Sequence, residues 1–96
     1  MPKKITRQEE AEIPLFDSHT EARGWFKDRY GDAFMLTDSE LVGVETCYFY
    51  YLILDRAVFE EEVKKLHSGT MTDSLKFLNS YQNIQIMDSG SVHIVH

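Results

Sequence analysis

Histidines are the side chains of this sequence with the widest chemical capacity, and there are four of them. His93 and His96 lie three residues apart in a segment that predicts a strand, where side chains alternate with a period of two. They therefore point to opposite faces and cannot chelate one metal ion together. His19 and His67 lie at opposite ends of two predicted helices, and no HExxH, CxxC or acidic calcium-loop pattern occurs. We interpret the histidines as terminal or surface residues and predict neither a metal site nor a cofactor.

The chain has a single cysteine, Cys47. A nucleophilic cysteine needs a lowered pKa, but the nearest charge in the sequence is the carboxylate of Glu45, which would raise that pKa. The serines lack a GxSxG setting, and no P-loop or GxGxxG pattern is present for phosphate binding. The sequence thus favours a buried structural cysteine. It assigns no catalytic residue, which argues against an enzyme.

The stretch that must position any site is residues 45–54, which we predict to be the central strand of a sheet. Its residues 47–54 contain no charge, glycine or proline and are dense in aromatic side chains, which favour strands. Alternation assigns Cys47, Phe49, Tyr51 and Ile53 to one face and Thr46, Tyr48, Tyr50, Leu52 and Leu54 to the other. Both faces are largely apolar, whereas a sheet with helices on one face only should have a polar outer face.

Three explanations compete for the second apolar face of this strand. The helix predicted at 56–67 or the N-terminal segment covers it, or it is a homodimer interface, or it lines a pocket for a partner or ligand. The leading hypothesis is a non-catalytic interaction module that binds a protein partner, or a second copy of itself, through the aromatic side of the sheet. Its candidate residues are Tyr48, Tyr50, Leu52 and His93. The alternatives are a small ligand-binding domain or enzyme with a Tyr/His cleft at the sheet edge, and an acidic decoy of a nucleic-acid-binding protein.

The elements around the strand follow from local signals. Ser18 and Glu21 form a capping-box pattern, and Gly31 ends a helix predicted at 18–30. Its apolar stripe consists of Ala22, Trp25, Phe26 and Tyr30, and we assign Trp25 and Tyr30 to the core. In that helix Gly24 either lets another backbone approach or is a tolerated imperfection. A second helix is predicted from Arg56 to His67. Strands are predicted at 33–38, with continuation to 42, at 45–54, and in a terminal hairpin at 83–96 with its turn at 88–91; 72–81 is a short helix or a loop.

These elements predict an α+β fold, a small single domain with an antiparallel four-stranded sheet of two hairpins packed by two or three helices. The predicted order is α-β-β-α-(α)-β-β. Residues 17–96 form the domain, and residues 1–16 are an N-terminal tail or docking segment. Within that segment Thr6 and Glu9 match a capping box, so it is either a single helical turn or a flexible tail.

Charge and composition limit the partners. The formal net charge is −6, and residues 1–14 hold equal numbers of basic and acidic residues, so the folded part carries all of it. An acidic body repels phosphate backbones, so we expect no nucleic-acid partner. No apolar run approaches the roughly 20 residues of a membrane span, and a lone cysteine fits a reducing compartment, so we expect a cytoplasmic protein. As a small single-domain chain, it resembles proteins that are common in Gram-positive bacterial genomes and prophages. This resemblance implies no functional residues.

Overall fold

The protein is described from a computed structural model that covers residues 3–71 and 74–95. One four-stranded antiparallel sheet has the order β1-β2-β3-β4. Its strands are β1 (Phe34–Val42), β2 (Glu45–Ile53), β3 (Tyr81–Met87) and β4 (Val92–Ile94), and the helices are α1 (Arg7–Ala11), α2 (His19–Tyr30), α3 (Arg56–Ser68) and α4 (Ser74–Leu78). The predicted α+β class is confirmed, and the order of elements matches the prediction apart from the additional short helix α1. Thr72 and Asp73, at the start of the segment predicted to be a short helix or a loop, and His96 lie outside the described residues.

The two long helices begin at side-chain caps. The Ser18 hydroxyl accepts a hydrogen bond from the Glu21 N–H at the start of α2, and the Asp55 carboxylate accepts one from the Val58 N–H at the start of α3. Each helix ends at a glycine with positive φ, Gly31 at +56° and Gly69 at +76°. Ser18 and Gly31 are the residues whose signals predicted α2, and the observed boundaries of both helices differ from the predicted ones by one residue.

The strand β2 lies between two antiparallel neighbours. Its pairing with β1 runs from Phe34 opposite Leu52 to Val42 opposite Glu45, with a bulge between Leu36 and Asp38. This register fixes which side chains share a face. We call the side of the sheet that carries Leu52 the α2 face, since α2 packs on it, and the opposite side the α3 face.

The main core lies between α2 and the α2 face. Phe26 of α2 stacks on Phe34 of β1 at 5.1 Å between ring centroids, and Phe34 stacks on Tyr50 of β2 at 4.2 Å. The remaining buried members of this cluster are Ile5, Ala22, Leu52, Ile84, Ile86 and Ile94. Complete burial of one such large apolar side chain contributes about 1.5–3 kcal/mol, so this layer supplies most of the stabilisation. Trp25 and Tyr30, which we expected in the core, are half-buried against it.

The α3 face is covered at one end. Phe59 of α3 and Phe77 of α4 pack against Tyr51 and Tyr81, with ring centroids 5.2–5.9 Å apart. Phe49, farther along β2 on the same face, is half-buried. Packing of helices from the same chain therefore explains the apolar character of both faces of β2. This is the first of the three explanations, in which the chain itself covers the second face.

The N-terminal segment lies along the edge of β4. The side chain of Gln82, which is buried, accepts a hydrogen bond from the Ile5 N–H at 2.8 Å and donates one to the Ile5 carbonyl at 3.1 Å. Farther along the segment, a carboxylate oxygen of Glu10 accepts a hydrogen bond from the Ile94 N–H. Thr6 and Glu9 form the predicted capping box, and α1 follows it. One edge of the sheet is thus covered by residues 3–16.

Close backbone approach occurs at a different glycine from the one considered in the sequence. No atom lies within 4 Å of the position a Cβ would take on Gly24, so that glycine is a tolerated imperfection. Gly90, in the turn before β4, lies against the backbone of Phe16 and Ser18. Within the described residues, no helix combines the length and apolarity required to cross a membrane.

Candidate interaction surface

The structure does not bring the four predicted binding residues together. Tyr50 and Leu52 are 1% and 0% exposed, because Phe34, Phe26 and the rest of the core cover them. Their assignment to an exposed surface is therefore corrected: they are core residues. Tyr48 is half-buried on the same α2 face, whereas His93 is exposed on the α3 face opposite Gln85. A partner role for Tyr48 and His93 stays a prediction.

A histidine that the sequence analysis placed on the surface contacts two of these tyrosines. The His19 ring stacks on Tyr48 with centroids 3.7 Å apart, and its Nε2 lies 2.6 Å from the Tyr50 hydroxyl. The signal for this contact was present, because His19, Ala22 and Phe26 are spaced i, i+3, i+7 on one side of α2. The apolar stripe predicted for this helix begins at Ala22 and therefore leaves out His19.

The electrostatics of this pair favour its neutral form. Burial lowers the pKa of His19, the positive charge of Arg23 lowers it further, and Asp88 opposes both. Burial also raises the pKa of Tyr50, although Arg23 acts in the other direction. Tyrosinate or imidazolium chemistry would need the opposite directions. The pair therefore holds the start of α2 on β2, and a Tyr/His cleft for a ligand or reaction stays a prediction.

Acidification should destabilise the fold in part through His19. Because its pKa is lowered in the fold, the unfolded chain takes up the proton first as the pH falls below the ordinary value of 6.5. The contribution of the neutral imidazole is complete above that pH and is lost as the pH falls through the lower pKa of the folded state. We expect urea unfolding at about pH 8 and about pH 5 to show a smaller loss of stability in His19→Gln than in the parent. Equal losses would contradict this account.

Exposed apolar side chains concentrate on β1 and the turn that follows it. We call residues 35–44 the hairpin surface. Val44 is 98% exposed and Leu41 is 69% exposed. Such exposure is unfavourable, because it leaves the apolar area of these side chains in water. The large exposed apolar residues of this surface are Met35, Leu36, Leu41, Val42 and Val44. An exposed apolar patch of this kind on a small protein is typical of an interaction site.

The same strand is the open edge of the sheet. β4 is covered by the N-terminal segment, but β1 has only β2 beside it. Among the described residues, the one further hydrogen bond to the β1 backbone between residues 35 and 42 comes from Asp38, whose Oδ1 accepts from the Ser39 N–H. An edge with unpaired N–H and C=O groups is a template for another strand.

The register gives the two sides of the hairpin surface different chemistry. Leu41 and Ser39 lie opposite Thr46 and Tyr48 on the α2 face. Asp38, Glu40 and Val42 lie on the α3 face, with Glu40 opposite Cys47 and Val42 opposite Glu45. Burial raises the pKa of the Cys47 thiol and the Glu40 carboxylate raises it further, so the thiol stays protonated and unreactive.

Other features offer less for binding or catalysis. Three depressions of about 190–250 Å³ lie along the N-terminal segment and beside β3. Within residues 3–71 and 74–95, no three or more His, Cys, Asp or Glu side chains are grouped so as to hold a metal ion. Comparison with known proteins found no matching family model, no similar curated protein and no similar solved structure. The geometry of the hairpin surface is therefore the basis for assigning a function.

Proposed function

We propose that this chain is a non-catalytic protein-interaction module whose binding site is the hairpin surface. The observation that carries the proposal is the combination of an open strand edge with several exposed large apolar side chains on β1 and its turn. Backbone groups on an open edge supply affinity for an extended segment, and the flanking side chains supply specificity. The lone, buried Cys47 supports action in a reducing compartment such as the cytoplasm.

The charge of the chain favours a different protein over a second copy as the partner. Each copy carries a formal net charge of −6. The hairpin surface itself carries Asp38 and Glu40, and of the ion pairs among the described residues none involves either one. Two copies joined at this surface would bring like charges together, which weakens association.

Site-specific photo-crosslinking tests the proposal. A benzophenone amino acid in place of Val44, in cells that naturally carry the gene, should give a discrete covalent adduct. The matched control is the same replacement at Leu15, which is also 98% exposed but is not part of the hairpin surface. Leu41→Ser in the Val44 background should reduce the adduct about tenfold, since loss of one buried apolar contact weakens binding by that order.

The outcomes separate the versions of the proposal. An adduct with a different protein at Val44, but not at Leu15, supports the module and identifies its partner. An adduct of twice the mass of the chain supports the module in a self-associating form. Equal labelling at the two positions, or none at Val44, contradicts a binding function for the hairpin surface.

A further inference from the structure

The geometry points to one class of occupant for the hairpin surface: we propose that an extended basic segment of another protein adds to β1 as a fifth strand along residues 38–42. In the segment of the partner protein, basic side chains alternate with apolar ones. The inference rests on the proposed function, because it specifies what the hairpin surface binds. Three features carry it: the open edge, the division of chemistry between its two sides, and the sign of the charge.

The open edge sets the conformation of the occupant. The bulge between Leu36 and Asp38 interrupts the regular ladder, so the longer regular part of the edge is residues 38–42. A segment that satisfies backbone N–H and C=O groups along such an edge must itself be extended. A helix or a folded surface leaves those groups to water, whereas a strand of about five residues pairs with them.

The two sides of the edge set the sequence pattern of the occupant. Successive side chains of an added strand lie alternately on the two faces of the sheet. On the α2 face the occupant's side chains lie beside Leu41 and Ser39, with Tyr48 in the next strand. On the α3 face they lie beside the carboxylates of Asp38 and Glu40, with Val42 at the end of the strand. Cross-strand neighbours of opposite charge attract and apolar neighbours pack, so the matching pattern alternates lysine or arginine with an apolar residue.

The same geometry disfavours a second copy of this chain as the added strand. Two β1 edges paired antiparallel are related by a two-fold axis perpendicular to the sheet, which keeps each face on its own side. Asp38 and Glu40 of both copies would then lie on one face, four carboxylates together. Like charges facing one another across strands are destabilising. A basic segment removes this repulsion and replaces it with attraction.

Binding of designed peptides to the full chain tests the inference. The probe is a capped eight-residue peptide that alternates lysine and valine. It should bind with a dissociation constant below about 1 mM and should slow hydrogen exchange of backbone amides within residues 38–42. Two further peptides complete the set: one alternating glutamate and valine, and the lysine peptide methylated on its central backbone nitrogens. Both should bind at least about tenfold more weakly, because one reverses the charge and the other cannot pair with the edge.

A pair of charge variants locates the contact. Asp38→Asn with Glu40→Gln should weaken binding of the lysine peptide about tenfold. Glu12→Gln with Asp28→Asn changes the net charge equally at exposed positions outside the hairpin surface, and should change the affinity less than about twofold. Equal weakening by both pairs, equal binding of the charged peptides, tight binding of the methylated peptide, or no binding of the lysine peptide would overturn the inference. A Val44 adduct with a different protein would still support the module in each of these cases.

Discussion

Replacing Gly90 by alanine should destabilise the fold by about 3 kcal/mol or more, enough to unfold a large fraction of a marginally stable small domain. Gly90 has φ of +91°, a conformation that is costly for any residue with a Cβ. The new Cβ would also lie 2.7 Å from the carbonyl carbon of Phe16 and 2.9 Å from the backbone nitrogen of Ser18. Backbone atoms cannot move aside as a flexible side chain can. The segment before α2 and the turn before β4 would have to separate.

Gly24→Ala is the matched control for this prediction. Gly24 lies within α2, and nothing lies within 4 Å of the position its Cβ would take. Alanine there should stabilise the chain by about 0.5–1 kcal/mol, since it restricts the unfolded state and favours the helix. Urea unfolding of the parent and both variants measures the difference. If Gly90→Ala unfolds at the same urea concentration as the parent, the contact between this turn and residues 16–18 is not as described.

These two glycines show how far local signals reach. The sequence predicted the turn at 88–91, and it predicted α2 through Ser18 and Gly31, because caps and turns depend on residues three or four apart. What Gly90 touches depends on residues more than 70 positions earlier, for which no local pattern exists. We considered a close backbone approach at Gly24, because a glycine inside a helix is destabilising. The close approach occurs instead at Gly90, whose presence the turn alone would have explained.

The candidate site shows the same division. Alternation in β2 correctly separated the side chains of its two faces, but it could not say which helix covers which face. Tyr50 and Leu52 therefore looked available for a partner, whereas they contribute to the core beneath α2. The exposed apolar side chains are on β1 and its turn, where the sequence predicted a strand at 33–38 with continuation to 42. Exposure of an edge depends on strand order, which emerges only when all four strands are placed.

Gln82→Leu should destabilise the fold by about 2–4 kcal/mol. The Gln82 amide group bonds both backbone groups of Ile5, at 2.8 and 3.1 Å, and donates to the Val95 carbonyl at 3.3 Å. Leucine has a similar size but cannot bond, so the buried N–H and C=O of Ile5 are left without partners at about 1–3 kcal/mol each. The N-terminal segment can avoid this penalty only by detaching. Detachment exposes the Ile5 side chain at a cost of about 1.5–3 kcal/mol, so neither route is cheap.

Gln85→Leu is the control, because Gln85 is half-buried in the same strand on the opposite face and should change stability by less than about 0.5 kcal/mol. Urea unfolding measures the free energies of unfolding, and hydrogen exchange at the Ile5 amide reports whether its hydrogen bond to Gln82 is intact. Ile5→Ala combined with Gln82→Leu should cost less than the sum of the single changes, since both act through the same docked segment. Additive costs, with unaltered exchange at Ile5 in Gln82→Leu, would show that the segment is held on the β4 edge by its other contacts. In that case Gln82 would stabilise only β3, and Glu10 and α1 would be the residues that cover the edge of β4.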